Sequence, residues 1–182
     1  MSASFDLEEA ISILEKTPKA LSAQLSGLPQ KWLHNNEGKS SWSPHQVLGH
    51  LVFGEETDWL PRTKIILSSK SIKEFEPYDR FAQDRLYVDK SSEALLNLFA
   101  QKRKENIQEL RKLEISESDL QKEGEHPEFG LVTLKEMLSA WVVHDLGHIA
   151  QINRVLAKNY TEEIGPWSKY LTIVRSNPAP EE

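Results

Sequence analysis

The amino-acid sequence predicts an all-α protein, a bundle of four main helices with one long crossover connection and a short extra C-terminal helix. Three observations support this fold class. Four segments repeat apolar residues every three to four positions, as one buried face of an α-helix requires. No segment shows the sustained alternation of polar and apolar residues that is typical of a β-strand. Two of the four segments begin with a capping box, which marks a helix N-terminus in the sequence.

The composition fits a single globular domain, taken as residues 1–182 with a core of about residues 5–175. The chain is 38% hydrophobic and 27% charged, so we expect it to bury a core and to fold alone. A formal net charge of -6 argues against a nucleic-acid partner. The sequence has neither an apolar stretch of membrane-spanning length nor a signal-like N-terminus, so we expect no membrane partner and a cytoplasmic location.

The first two helical segments each contain a proline that should disturb them. The first segment runs from about Ser4 to Leu28, and Pro18 should kink it or divide it into two helices. The second begins at SPHQ (43–46), where a serine cap, a proline at the first helical position and a glutamine form a capping box. Pro61 should bend this second helix before the apolar pattern continues.

A long connection separates the second and third helical segments. Residues 68–89 contain aromatic side chains but no clear period, and loops of this length in compact domains are often functional. The third helix should begin near Ser91 or Ser92, either of which can cap it. The chain therefore crosses over once between its two middle helices.

The last third of the chain predicts a loop, a long helix and a short helix. Residues 123–130, EGEHPEFG, are typical of a plain loop. The fourth helix opens with the capping box TLKE (133–136) and runs to about Lys158. Residues 165–174, GPWSKYLTIV, should be helical and pack on the end of the bundle, and SNPAPEE (176–182) should form a loose tail.

The stretch VVHDLGHIAQI places His144 and His148 four residues apart in the apolar fourth helix. Two residues at this spacing project side by side from one helix face, here the face that looks toward the bundle interior. Two interpretations are open at this point. In the first, both rings are core residues that have separate hydrogen-bond partners. In the second, one divalent ion takes a lone pair from each ring.

A pair of histidines cannot close a metal site, so the second interpretation needs a third ligand on another helix. The chain has no cysteine, which leaves imidazole and carboxylate as ligand types. His50 lies on the inward arc of the second helix and is the natural third ligand. His34 and His126 fall in polar loops and should be exposed, and His45 lies in the first turn of the second helix and should face outward.

The acidic residues near these histidines are weaker candidates for ligands. Asp145 is rotated about 100° from His144 on the helix, which predicts a surface charge or an acceptor behind a ligand. Glu55 and Glu56 also lie off the azimuth of His50. The motif HDLGH lacks the glutamate of HExxH, so a zinc-protease mechanism would have no general base.

The stretch WSPHQVLGHL, followed about eighty residues later by TLKEMLSAWVVHDLGHIAQINRVL, resembles the DinB/YfiT-like superfamily of four-helix bundles. FEPYDRFAQ and GPWSKYL are similar to its DinB-type subfamily, and the resemblance spans roughly residues 5–175. It implies an up-down-down-up order of helices and frequent homodimers. It also implies His50, His144 and His148 as metal ligands, the set that periodicity favours. The implied cofactor is one divalent transition metal, zinc or nickel before iron, cobalt or manganese.

The resemblance further implies an open metal site that acts on a small-molecule substrate. Relatives include thiol-dependent S-transferases, a thiol-dependent isomerase and a presumed metal-dependent hydrolase. We therefore expect a metal-dependent enzyme that activates either a low-molecular-weight thiol or water. The alternative is a non-catalytic metal-binding or scaffold bundle. The side chains that could shape the pocket or support the ligands are Tyr78, Asp79, Arg80, Asp145 and Gln151.

Overall fold

The computed structural model describes residues 5–38 and 41–175, which form a four-helix bundle in up-down-down-up order. The helices are α1 (Leu7–Leu14), α2 (Thr17–Leu25), α3 (Gln30–His34), α4 (Pro44–Thr57), α5 (Trp59–Leu67), α6 (Gln83–Leu86), α7 (Ser92–Lys112) and α8 (Leu134–Lys158). The first bundle helix consists of α1 and α2, the second of α4 and α5, the third is α7 and the fourth is α8. The fold class predicted from the sequence is confirmed. Within the described ranges, no helix is both long and apolar enough to cross a membrane.

Both predicted proline effects are present in the structure. The first bundle helix divides between α1 and α2, and Pro18 occupies the first turn of α2, where its missing N–H needs no partner. The second bundle helix breaks at Asp58, where φ is -109° and ψ is -79°. Pro61 cannot donate to the carbonyl of Thr57 four residues earlier, so the regular hydrogen-bond ladder ends there. The second bundle helix therefore consists of two consecutive helices, α4 and α5, that meet at Asp58.

Side-chain caps fix the N-termini of the three long helices at the positions that the sequence predicts. Ser43 Oγ accepts from the backbone N–H of Gln46 at 3.3 Å, and Gln46 Oε1 accepts from the N–H of Ser43 at 3.1 Å. Thr133 and Glu136 form the same reciprocal pair at the start of α8. Ser91 caps α7. These caps fix the register of the helices that carry the histidines.

The segment predicted as a plain loop is a β-hairpin, so that prediction was wrong. Strand β1 (Glu123–His126) pairs antiparallel with β2 (Gly130–Thr133), and β2 leads directly into α8. The long crossover packs on this hairpin, because the N–H of Phe75 donates to the carbonyl of Glu125 at 2.9 Å. A Cβ atom at Gly124 would lie 2.7 Å from the Phe75 ring, so only glycine permits this close approach.

The C-terminal segment is helical but short. It forms two exposed 3-10 turns, Gly165–Lys169 and Thr172–Val174, rather than one continuous helix. The predicted start of the first helix at residue 4 and the predicted tail at 176–182 lie outside the described residues. The second turn contacts α8, the first turn contacts the second, and neither contains a buried residue.

The bundle interior consists of two apolar clusters with polar residues between them. One cluster contains Trp59, Ile107 and Trp141, and the other contains Val52, Phe99 and Ile152, so each of three bundle helices contributes to both. Near or between these positions the same helices carry buried or half-buried polar side chains, which are His50, Glu55, Arg103, Asp145, His144 and His148. The histidine motif therefore lies near the middle of the bundle.

Candidate metal centre

Three histidines on two helices bring their Nε2 atoms together. His50 projects from α4, and His144 and His148 project from α8 one turn apart. The Nε2 atom of His144 lies 2.9 Å from that of His50 and 3.1 Å from that of His148. The donor atoms of all three rings lie within 4.8 Å of one another. The structure thus assembles the three residues that helical periodicity selects.

The neighbours of His148 determine which of its ring nitrogens carries the proton. Its Nδ1 lies 2.8 Å from Oε1 of Gln151, one turn further along α8. An amide oxygen can only accept a hydrogen bond, so Nδ1 is the donor. In a neutral ring, Nε2 then keeps its lone pair, which points at His144.

The outer ring nitrogen of His50, Nδ1, also has a polar neighbour, the hydroxyl of Tyr78 in the crossover. The hydroxyl of Tyr78 lies 3.2 Å from Nδ1 of His50 and donates to the carbonyl oxygen of the same residue at 3.4 Å. A hydroxyl that donates to this carbonyl can accept from Nδ1 of the ring. With the proton on Nδ1, the Nε2 lone pair of His50 also points into the cluster.

This donor set fits a divalent transition metal. Neighbouring Nε2 atoms about 3 Å apart need either a shared proton or a cation between them. A tetrahedral ion with bonds of 2.0–2.1 Å separates its ligand nitrogens by about 3.3 Å, which is close to these distances. Burial and the charges of the neighbouring histidines lower the pKa of His50 well below its ordinary value and that of His148 to about 3. Both rings are therefore neutral at pH 7, as metal ligands must be.

Aromatic side chains flank the histidine cluster. The ring of Trp42 stacks on His148, with an interplanar angle of 19° and centroids 6.2 Å apart, and lies 4.7 Å from the His50 ring. Phe81 in the crossover meets Trp42 edge-on and is 55% exposed. The side chain of His144 is 24% exposed, so solvent reaches this ring of the cluster.

Of the other predicted pocket residues, some contact the histidines and some do not. Tyr78 and Gln151 contact the outer nitrogens of two histidines, as described above. Asp79 forms an exposed ion pair with Arg85 at 2.5 Å rather than a contact with the cluster. The positive charge of Arg80, which follows it in the crossover, acts on the cluster by lowering the pKa values of His50 and His148.

The remaining three histidines lie apart from the cluster. His34 is exposed as predicted, and its ring lies 4.5 Å from that of His45. His45 is half-buried rather than outward-facing, because its Nδ1 bonds to Ser92 Oγ at 2.8 Å across to α7. His126 is also half-buried, against the ring of Phe129 in the hairpin. The expected full exposure of His45 and His126 was wrong.

A buried ionic network adjoins the cluster, and sequence reasoning missed it. Asp145 is fully buried and pairs with Arg103 at 2.6 and 3.1 Å, so the prediction of a surface charge was wrong. Glu55 pairs with the same guanidinium at 2.7 Å. The sequence carried a signal for this: Arg103 lies four residues after Phe99, and Asp145 four after Trp141, so each occupies a position on a buried helix stripe.

Most of the chain matches the model of one protein family. The family model of the DinB superfamily matches residues 13–152. The chain belongs to the DinB superfamily. None of the curated proteins matches the sequence. The matched residues include all three clustered histidines.

Solved structures share the fold of this DinB-superfamily protein. YfiT from Bacillus subtilis, described as a probable metal-dependent hydrolase with an unusual four-helix bundle topology, superposes with a TM-score of 0.73 at 19% identity. The alignment covers 87% of this chain and 92% of YfiT. TT2238, described as a four-helix bundle protein, superposes with a TM-score of 0.54 at 22% identity over 84% of this chain and 99% of its own. At these identities the likeness establishes the fold.

Proposed function

We propose that this protein is a divalent-metal enzyme that activates a small nucleophile, either water in a hydrolase or a low-molecular-weight thiol in an S-transferase. The observation that carries the proposal is the convergence of three histidine Nε2 atoms at one point, beside a ring that keeps partial solvent exposure. The description of YfiT as a probable metal-dependent hydrolase supports it. When bound, a divalent ion supplies Lewis acidity, which lowers the pKa of a water or thiol at its open position.

The protein's own residues have separable tasks in this proposal. His50, His144 and His148 hold the ion, which is zinc or nickel before iron, cobalt or manganese. Tyr78 and Gln151 keep two of these rings in the tautomer that presents Nε2 inward. Three neutral imidazoles leave the charge of the ion undiminished and leave room for a further ligand, as catalytic rather than structural sites do.

The source of the nucleophile follows from the composition. The chain has no cysteine, so a thiol nucleophile must come from a second small molecule. Trp42 packs against two rings of the cluster, and Phe81 packs on Trp42. We therefore propose a small-molecule substrate that lies against these rings, rather than a nucleic acid or a membrane.

The test compares the protein stripped with a chelator and the same protein reloaded with zinc or nickel. Hydrolysis of activated esters, and conjugation of cysteine to an electrophilic aryl halide, are followed in the parent and in His148→Ala. A matched control is His34→Ala, which removes an exposed histidine outside the cluster. We expect metal-dependent turnover in the parent and in His34→Ala, and none in His148→Ala. Turnover without thiol identifies a hydrolase, and turnover only with thiol identifies a transferase. Metal binding without either reaction across a broad substrate set would favour a non-catalytic bundle.

A further inference from the structure

A buried ionic layer crosses the bundle beside the histidine cluster. We define the polar layer as Glu55 on α4, Arg103 on α7 and Asp145 on α8, none of which is more than 3% exposed. Arg103 donates to Asp145 through two nitrogens, at 2.6 and 3.1 Å, and to Glu55 at 2.7 Å. It also donates to the carbonyl of Leu14 at 2.8 Å, so the layer joins all four bundle helices. A bidentate pair with these further contacts fixes the Asp145 carboxylate in one orientation.

The Asp145 carboxylate is paired with a permanent cation. Arg103 donates to both of its oxygens, at 2.6 and 3.1 Å, and a guanidinium stays charged in proteins. A carboxylate of this kind accepts hydrogen bonds and attracts an N–H, whereas it repels a lone pair. Any ring nitrogen that faces Asp145 is therefore favoured in its protonated form.

The nitrogen that faces it belongs to a histidine of the cluster. Nδ1 of His144 lies 3.8 Å from Oδ1 of Asp145. This Nδ1 is buried and has no hydrogen-bond partner among the side chains and backbone that the structure describes. A buried N–H without an acceptor is costly, and a shift of about 1 Å would bring the pair to a charge-assisted hydrogen bond. The outer nitrogens of His50 and His148 already have such acceptors in Tyr78 and Gln151.

We propose that Asp145, clamped by Arg103, is the positioning residue for His144: it holds the Nδ1–H tautomer and so directs the Nε2 lone pair at the other two histidines. This inference rests on the proposed function in so far as it concerns metal affinity. Arg103 and Glu55 serve the site indirectly, because they keep the Asp145 carboxylate in place. The polar layer thus links the packing of the bundle to the orientation of His144.

The first experiment separates this role from a purely structural one. Zinc affinity is measured by competition with a chelator in the parent, in Asp145→Asn and in Glu55→Gln. Both variants remove one carboxylate charge from the same guanidinium, but only the first changes the residue that faces His144. We expect Asp145→Asn to weaken zinc binding by about 10–100-fold, and Glu55→Gln to change it little. Equal losses in the two variants would overturn the proposal.

The second experiment requires no metal, and its deciding result comes from the parent protein. The ¹⁵N chemical shifts of the His144 ring in the metal-free parent distinguish a protonated from an unprotonated nitrogen. We expect the proton on Nδ1, with loss of that preference in Asp145→Asn and its retention in Glu55→Gln. A proton on Nε2 of His144 in the parent would overturn the proposal even if Asp145→Asn does not fold. If the parent binds no zinc, the proposed function fails, and the ring tautomer still decides the role of Asp145.

Discussion

Replacing Arg103 by methionine should be among the most destabilising single changes in this protein. The guanidinium is 2% exposed and neutralises two buried carboxylates, Glu55 and Asp145, besides bonding to the carbonyl of Leu14. Methionine fills a similar volume but leaves both acids without their cation. Breaking a buried ion pair by removing one partner costs about 3–5 kcal/mol, which is a large fraction of the roughly 5–15 kcal/mol that stabilises a domain.

The same helix provides a matched control for this prediction. Arg111, two turns later in α7, also pairs with two acids, Glu8 and Glu15, but its side chain is 45% exposed. Water solvates those acids when the arginine is removed, so Arg111→Met should change stability little. Urea unfolding of the chelator-treated proteins at pH 7 measures the free energy of unfolding for both variants. A loss in Arg103→Met below about 1 kcal/mol, or no larger than that in Arg111→Met, would refute the account of the polar layer.

Two further changes test other parts of the structure. In the metal-free protein the pKa values of His50 and His148 lie below 6.5, so the unfolded chain binds more protons than the folded one at lower pH. The free energy of unfolding should therefore be independent of these two histidines above pH 6.5. It should decrease as the pH falls toward the folded pKa of His148 at about 3, by at most about 1.4 kcal/mol per pH unit for each histidine. Urea midpoints between pH 7.5 and 5.5 measure this, and an equal slope in His148→Ala would contradict it. Gly124→Ala should lower the free energy of unfolding by about 1–3 kcal/mol, because the added Cβ would collide with the Phe75 ring. Gly147→Ala on the open face of α8 should be neutral or stabilising, because nothing lies within 4 Å of the added Cβ. Thermal melts that rank the two variants the other way would contradict this.

Features that depend on local sequence could be predicted. The capping boxes that begin at Ser43 and Thr133 need only residues three positions apart, and both form. The pairing of His144 with His148 follows from the helical repeat, and the approach of His50 follows from its place on the inward face of its helix. The effect of Pro18 on the first helix is equally local.

Features that depend on contacts between distant segments could not be predicted. The hairpin strands are only four residues long, and the approach of Phe75 to Gly124, some fifty residues apart in sequence, shows that the crossover packs on them. A short polar segment without this partner is indistinguishable from a loop. Asp145 likewise reads as a surface acid until Arg103 on another helix is known to face it. Periodicity places a side chain on a buried stripe, but it does not name the group that neutralises it there.

The metal content of the purified protein shows directly whether three of its six histidines bind one metal ion. Untagged protein, purified without chelator, is analysed for transition metals beside two triple variants. One replaces His50, His144 and His148 with alanine, and the other replaces the three histidines outside the cluster, which are His34, His45 and His126. We expect about one equivalent of metal in the parent and in the second variant, and none in the first. No metal in the parent after reloading, or equal loss in both variants, would contradict it.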